Sequence, residues 1–320
     1  MSEQKIIAVA GATGAQGGGL VRAILADPER RFAVRALTRN AASDKAQALA
    51  ALGAEVVEAD LDDEASIRKA FDGAYGAYVV TNYWQTPAKA GQSPAEMELE
   101  QAGIAARAAK ETGVQHLIWS TLEDTRDHFG SDERVPTVEE TYKVPHFDAK
   151  SEANRLFTDL GVPTTFLQTT FYFDAFKQGL GPARTPDGKL VLTLPMDSAP
   201  ISGIATEDIG KTAFGVFASG SEFIGETVSI AGDHVTGKEL AQTFTEVLGE
   251  QVDYQPLGFD DYRALGFPGA VELGNMFQYY AEDADGFTGR RDLDQVRKLN
   301  PELQSFRTWL EANKADIPLS

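Results

Sequence analysis

Residues 5–21 read Lys5-Ile-Ile-Ala-Val-Ala10-Gly11-Ala12-Thr13-Gly14-Ala15-Gln16-Gly17-Gly18-Gly19-Leu20-Val21. An apolar run of strand length ends in a glycine cluster, and a helical apolar pattern (Leu20, Val21, Ile24, Leu25) begins directly behind it. Gly11, Gly14 and Gly17 set a G-x-x-G-x-x-G spacing at the strand-to-helix turn. Small residues there let the backbone turn tightly and approach a pyrophosphate. The helix N-terminus then supplies N–H donors and the positive end of its dipole. A glycine turn that only packs helix on strand is the structural alternative. Gly18 and Gly19 each cost about 1 kcal/mol in a helix interior relative to Ala, which makes sense if a backbone or ligand comes close.

Outward from this turn, strands and helices alternate. Strands are predicted at Ala33–Leu37, Ala54–Glu58, Ala77–Thr81, His116–Ser120 and Thr164–Gln168. Helices are predicted at Ser43–Leu52, Pro94–Thr112 and Phe147–Leu160, with another opening on Asp62-Asp63-Glu64, where acids suit the macrodipole. Such alternation builds βαβ units, hence an α/β fold with a Rossmann-type doubly wound parallel sheet. The second half changes character. Pro182–Gly188 is turn-rich, Lys189–Leu194, Glu226–Ile230 and Val252–Pro256 read as strands, and Thr236 with Glu239 forms a capping box for a helix to Leu248. Pro268–Glu282 reads as a helix with an aromatic stripe (Phe277, Tyr280), and Leu303–Asn313 as the last helix. The expected organisation is a dinucleotide-binding domain over residues 1–170 and a smaller α+β lobe over 171–320, with an interwoven boundary.

Composition narrows the function. The chain has 320 residues, 29 Lys+Arg against 48 Asp+Glu, a formal net charge of −19, and no Cys. That charge argues against broad nucleic-acid binding and against attachment to an anionic membrane. The lack of Cys excludes disulfides, thiolate metal sites and a cysteine nucleophile, and no metal site is expected. Met1-Ser2-Glu3 leads straight into the first strand with no signal-peptide core, and Leu160–Phe173 is too short and polar to span a bilayer. A cytoplasmic protein is the expectation.

The end of the second predicted strand bears on cofactor type. An NAD site usually places Asp or Glu here for the ribose 2′-hydroxyl, but Leu37 is followed by Thr38-Arg39-Asn40. Arg39 suits a 2′-phosphate, with Lys45 as a further cation, so NADP(H) is favoured over NAD(H); the alternative is a solvated surface Arg. Asp60-Leu61 ends the third strand, where an adenine edge would lie. Thr81-Asn82-Tyr83-Trp84 ends the fourth, either lining the nicotinamide side or capping the strand beside core aromatics. A Walker loop at Gly210-Lys211-Thr212 fails because Ala205 stands where its first glycine belongs, and these residues are expected in a surface helix.

These pieces resemble the short-chain dehydrogenase superfamily, in which a Tyr and a Lys four residues on share one helix face, the Lys lowering the phenol pKa for proton transfer. Here the matching helix reads His146-Phe-Asp-Ala-Lys150, and Tyr142 lies four residues too early. His146 is either a general acid or base in place of Tyr or a hydrogen-bonded structural residue.

Thr38-Arg39-Asn40, Thr81-Asn-Tyr-Trp84, His146-Phe-Asp-Ala-Lys150, Pro186-Asp-Gly-Lys189 and Leu265-Gly-Phe-Pro-Gly269 together resemble the NmrA-like family of atypical short-chain dehydrogenases, nearest its HSCARG-type NADPH-sensor branch. The resemblance implies NADP(H) held by the glycine loop (Gly11, Thr13, Gly14, Ala15, Gln16, Gly17), Arg39, Asn40, Asp60, Leu61, Thr81, Asn82, Tyr83 and Lys150, with Tyr172 and Phe173 beside the nicotinamide. It implies a redox sensor or regulator acting through cofactor-dependent conformation and protein contacts; the alternative is an NADPH-dependent quinone or carbonyl reductase using His146 and Lys150. Protein partners and a homodimer are further expectations. Two departures stand out. Basic residues after Asn40 are thinned to Ala41-Ala-Ser-Asp-Lys45, and Ala175, behind Asp174, replaces an Asn of the family.

Overall fold

The computed structural model describes residues 4–87 and 89–319, so the reading of Met1 to Glu3 lies outside the described residues. In chain order come β1 (Lys5–Val9), α1 (Ala15–Ala26), β2 (Phe32–Thr38), α2 (Asp44–Ala51), β3 (Glu55–Glu58), α3 (Glu64–Phe71), β4 (Gly76–Val79) and α4 (Pro94–Thr112). Next are β5 (His116–Thr121), the one-turn α5 (Arg126–Phe129), α6 (Pro145–Asp159), β6 (Thr164–Gln168), β7 (Phe171–Tyr172), β8 (Ala183–Arg184), β9 (Leu190–Leu192) and β10 (Pro200–Ile204). The chain continues with α7 (Thr206–Ala218), β11 (Thr227–Ser229), β12 (Asp233–Thr236), α8 (Gly237–Leu248), β13 (Val252–Tyr254), α9 (Phe259–Arg263) and α10 (Ala270–Glu282). It closes with α11 (Ala284–Gly289), α12 (Leu293–Leu299) and α13 (Phe306–Asn313).

Seven strands form one parallel sheet in the order β11-β6-β5-β4-β1-β2-β3. The order reverses at β1, which pairs with β2 on one side and β4 on the other. A ligand crevice therefore opens at the carboxyl ends of β1 and β4. The local chemistry explains the helix boundaries. Pro94 starts α4 behind a capping box of Ser93 and Glu96, and Gly113 ends it in the left-handed region.

The second half does not form one separate lobe. β11 completes the main sheet beside β6, and α7 packs lengthwise on α1. That packing is glycine on glycine: a Cβ on Gly19 would lie 2.6 Å from the Glu207 carbonyl oxygen, and one on Gly210 would lie 2.1 Å from the Leu20 nitrogen. The close neighbour that justifies Gly19 is thus α7. This also corrects the surface-helix expectation for Gly210-Lys211: Gly210 is buried in the interface, and only Lys211 reaches outward, to Glu302 at 2.9 Å. The rest of the second half builds two three-stranded sheets, β12-β10-β7 and β13-β9-β8, around an aromatic core including Phe171, Phe176, Phe244, Phe277 and Trp309.

His116, on β5, is fully buried, with Nε2 2.9 Å from Thr165 Oγ1 and its ring against Phe217. Burial lowers its pKa to about 4, against an opposing backbone contact from Gly220. Between the ordinary histidine value near 6.5 and about 4, the unfolded chain binds a proton that the folded chain refuses. Stability from this group is therefore lost as pH falls through that window, by about 3 kcal/mol in all. Urea unfolding at about pH 7 and about pH 4.5 checks this. His116→Gln should flatten the slope, and an unchanged slope would exclude His116 as its source.

Candidate functional site

Gly11 sits at φ +74°, a conformation that L side chains rarely adopt. Its carbonyl accepts from the Gly14 N–H at 2.8 Å, closing the turn. Gly14 caps α1 with extended backbone and no side-chain bond, so the first-turn N–H groups of α1 have no side-chain acceptor. A Cβ on Gly17 would fall 2.4 Å from the Gly11 oxygen, so only glycine lets the helix sit this close to the loop. Gly11, Gly14 and Ala15 are exposed and Thr13 is half-buried. An open, uncapped helix N-terminus behind a glycine turn fits a pyrophosphate.

Gln16 points the other way. Its Nε2 donates to the Tyr172 hydroxyl at 2.8 Å, and its Oε1 accepts from the Tyr78 hydroxyl at 2.6 Å and the Ser120 hydroxyl at 2.8 Å. Burial pushes both phenols upward, which keeps them protonated. The Gln16 side chain thus ties α1, β4, β5 and β7 together beneath the loop, leaving only its backbone toward the crevice. Tyr172 belongs to this network. Phe173, which the resemblance places beside the nicotinamide, is buried in the second-half core against Phe306 and Trp309. Asp174 accepts from the Thr206 N–H and hydroxyl, and Ala175 packs on the same core.

At the β2 end, Arg39 is exposed, and its Nη1 donates to Gln85 Oε1 at 3.1 Å across the carboxyl end of β1. Asn40 Oδ1 accepts from the Ala42 N–H, and Lys45 is exposed on α2. Asp60 and Leu61 are half-buried, Asp60 fixing the turn into α3 through the Asp62 N–H. Beyond β4, Thr81 and Tyr83 are buried and Asn82 is exposed.

Lys150 is nine-tenths buried, and all three of its ammonium protons have acceptors. Nζ lies 2.5 Å from Glu98 Oε2, 2.7 Å from Thr81 Oγ1 and 3.2 Å from the Thr81 carbonyl. Thr81 also donates to Glu98 Oε2 at 2.6 Å. Glu98 is fully buried on α4. Sequence reasoning missed it, although Glu98, Gln101, Ala102, Ala105 and Ala109 share one buried helix face, and an acid on such a face needs a partner.

His146 is equally constrained. Glu272 Oε1 accepts from its backbone N–H at 2.9 Å and lies 2.5 Å from its Nδ1. Glu272, 5% exposed, stands in the first turn of α10, where the helix dipole favours an acid. Asp148 holds the start of α6 by accepting from the N–H groups of Lys143, Val144 and Thr125. Tyr142 is turned aside to Glu152, at 3.1 Å. The His146 ring lies 5.3 Å from that of Trp84 and 5.9 Å from that of Tyr83. Beside these rings opens a cleft of about 680 Å³, lined by Tyr83 to Pro87, Pro94, Val138, Arg263 and the segment Gly266 to Glu272 without Pro268. The structure therefore brings Thr81, Tyr83, His146 and Lys150 together beside the crevice, and adds Glu98, Glu272 and Gln85.

Among the described residues no helix is long and apolar enough to cross a membrane. The model of the NmrA-like family matches residues 3–310. The NmrA-like family domain-containing oxidoreductase himF of Aspergillus japonicus is 30% identical over 296 residues, covering 88% of this chain and 85% of that protein. The similarly named cpsB of Aspergillus campestris is 28% identical over 292 residues, covering 87% and 83%. Among solved structures, Nmra, a negative transcriptional regulator, aligns with a TM-score of 0.75 at 21% identity, over 97% of this chain and 95% of that one. The Citrobacter sp. triphenylmethane reductase complexed with NADP(H) aligns with a TM-score of 0.72 at 21% identity, over 98% and 99%. Sheet order, glycine turn and near full-length match agree, and the chain belongs to the NmrA-like family.

Proposed function

We propose that the chain is an NADP(H)-dependent oxidoreductase whose substrate occupies the cleft beside His146. The observation that carries this reading is the cleft itself: a chemically lined opening at the carboxyl edge of β4, next to the crevice where the fold places a dinucleotide. The oxidoreductase names of the curated relatives support it, as do solved neighbours with NADP or NAD bound. NADPH, when bound, supplies a hydride. The first-turn N–H groups of α1 would hold the pyrophosphate, Arg39 the 2′-phosphate and Lys150 a ribose hydroxyl. Glu272 fixes the His146 ring and favours a proton on Nδ1, leaving Nε2 as the nitrogen that exchanges a proton with substrate.

Steady NADPH oxidation across a panel of quinones, aldehydes and iminium compounds tests the reading, with His146→Phe expected to lower kcat. No turnover with any of them would overturn it. Cofactor choice is tested separately by calorimetry. Charge-assisted hydrogen bonds contribute about 1.5–3 kcal/mol, so Arg39→Ala should weaken NADPH binding about tenfold or more and leave NADH nearly unchanged. Equal losses for both would remove Arg39 from the 2′-phosphate.

The Lys150 environment favours a second reading, a redox sensor of the HSCARG type. The ammonium is tied to Glu98 and Thr81, and no Tyr stands four residues before it. Such a protein works through cofactor-dependent conformation, protein contacts or a homodimer in the cytoplasm. An NADPH-dependent change in sedimentation, without turnover, is the result it requires.

A further inference from the structure

Arginines in this chain rarely stand without an acid. The net charge is −19, and every arginine among the described residues except Arg30 and Arg39 pairs with a carboxylate. Arg30 precedes the amino end of β2, away from the crevice, whereas Arg39 follows its carboxyl end. Arg39 is exposed, and its one side-chain partner among the described residues is the Gln85 amide oxygen, 3.1 Å from Nη1. A neutral acceptor occupies one N–H of the guanidinium and leaves its charge and its remaining donors to a ligand. A carboxylate in that place would take two N–H groups in parallel and cancel the charge.

Gln85 is itself held. Its backbone N–H donates to the Asn82 carbonyl at 3.1 Å, closing a turn behind β4. Its Nε2 donates to Sδ of the buried Met97 on α4, 3.8 Å away. The sulfur accepts and cannot donate, so the amide turns its oxygen toward Arg39. Since β1 lies between β4 and β2 in the sheet, the Arg39–Gln85 bond spans the carboxyl end of β1, where the glycine turn begins. No base stands between Arg39 and Lys45, so the aim of this guanidinium sets where positive charge first meets a ligand at the β2 end.

We propose that Gln85 is the positioning residue for cofactor choice. By fixing Nη1 across the crevice without neutralising it, the amide keeps the Arg39 guanidinium in place for the 2′-phosphate that distinguishes NADP(H) from NAD(H). This rests on the NADP(H) reading above. A loose arginine side chain must give up rotamer freedom to meet a phosphate. One already held by Gln85 has given up part of it, and the difference appears as affinity. NAD(H) gains far less, having no charge at that position for the guanidinium to meet.

Calorimetric titration of NADPH and NADH into the cofactor-free protein tests this, with the ratio of the two affinities as the readout. Gln85→Leu should lower that ratio about threefold to tenfold, the worth of one neutral hydrogen bond, through NADPH alone. Gln85→Glu keeps the shape, pairs with Arg39 and faces the phosphate with a negative charge, so the ratio should fall about tenfold or more. In an Arg39→Ala background, Gln85→Leu should change the ratio no further, because it acts through Arg39. Unchanged NADH binding shows that each variant is folded. A ratio unchanged by Gln85→Leu or Gln85→Glu, an equal loss for both cofactors, or a Gln85→Leu loss that persists without Arg39 would overturn the proposal. If one of these occurs while Arg39→Ala still removes the preference for NADPH, the NADP(H) reading stands and only the part given to Gln85 fails. If the parent protein binds both cofactors equally, or neither, that reading fails and the proposal with it.

Discussion

Lys150→Met is expected to lower the unfolding free energy by about 3–5 kcal/mol, the cost of leaving a buried charge without its partner. Glu98 is fully buried, and Lys150 is its cationic partner, 2.5 Å away. Removing the ammonium leaves a fully buried carboxylate with one Thr81 hydrogen bond. Adding Glu98→Leu to Lys150→Met should recover most of the loss, because replacing both members of a buried pair by apolar groups is often close to neutral. Urea denaturation measures both. A single variant within about 1 kcal/mol of the parent, well below the cost of an unpaired buried charge, would mean that water reaches Glu98. The double variant also separates roles that the single one confuses: if it folds but no longer binds NADPH, Lys150 contributes to the cofactor site beyond its structural part.

Gly210→Ala is the second large effect. One methyl would stand 2.1 Å from the Leu20 nitrogen and 2.5 Å from the Gly19 carbonyl carbon, both backbone atoms. Neither can rotate aside, so α1 and α7 must separate, at about 3 kcal/mol, the upper part of the usual range for overpacking. Because α1 carries the open N-terminus of the crevice, NADPH affinity should fall with stability. Gly289→Ala is the control. It lies in helix α11, where an added methyl would meet nothing within 4 Å, and should change stability by no more than about 1 kcal/mol. Thermal melting of both variants, with NADPH titration, checks the contrast. A Gly210→Ala protein as stable as the control would mean that the two helices can part at little cost.

Much of the fold was legible because its signals are local. The glycine turn, the Pro94 start of α4 and the Thr236–Glu239 box each lie within a few residues, and their strands and helices stand where the spacing places them. β10 and α7 were harder to read. Pro200 and Gly203 disguise a short strand, and Gly210 and Gly215 lower the helical signal of a segment stabilised by packing on α1 and α12. The candidate site divides the same way. His146 and Lys150 were visible as a four-residue pair on one helix. Their carboxylate partners are 126 and 52 residues away, on α10 and α4, so no spacing rule joins them. Phe173 illustrates the opposite limit: its neighbour Tyr172 turns toward Gln16, while Phe173 turns into an aromatic core assembled with Phe306 and Trp309 from the far end of the chain.

The return of α7 and β11 to the first sheet has a consequence for how this chain is made. When residue 170 leaves the ribosome, six strands of the main sheet exist, but the β6 edge is bare and the glycine face of α1 has no helix against it. Both are covered only by residues 206–229. At about 5–20 residues per second, the nascent sheet spends several seconds with an open edge able to pair with another chain. Slowed translation between residues 170 and 230 should therefore lower the yield of soluble protein without altering a single contact of the finished fold.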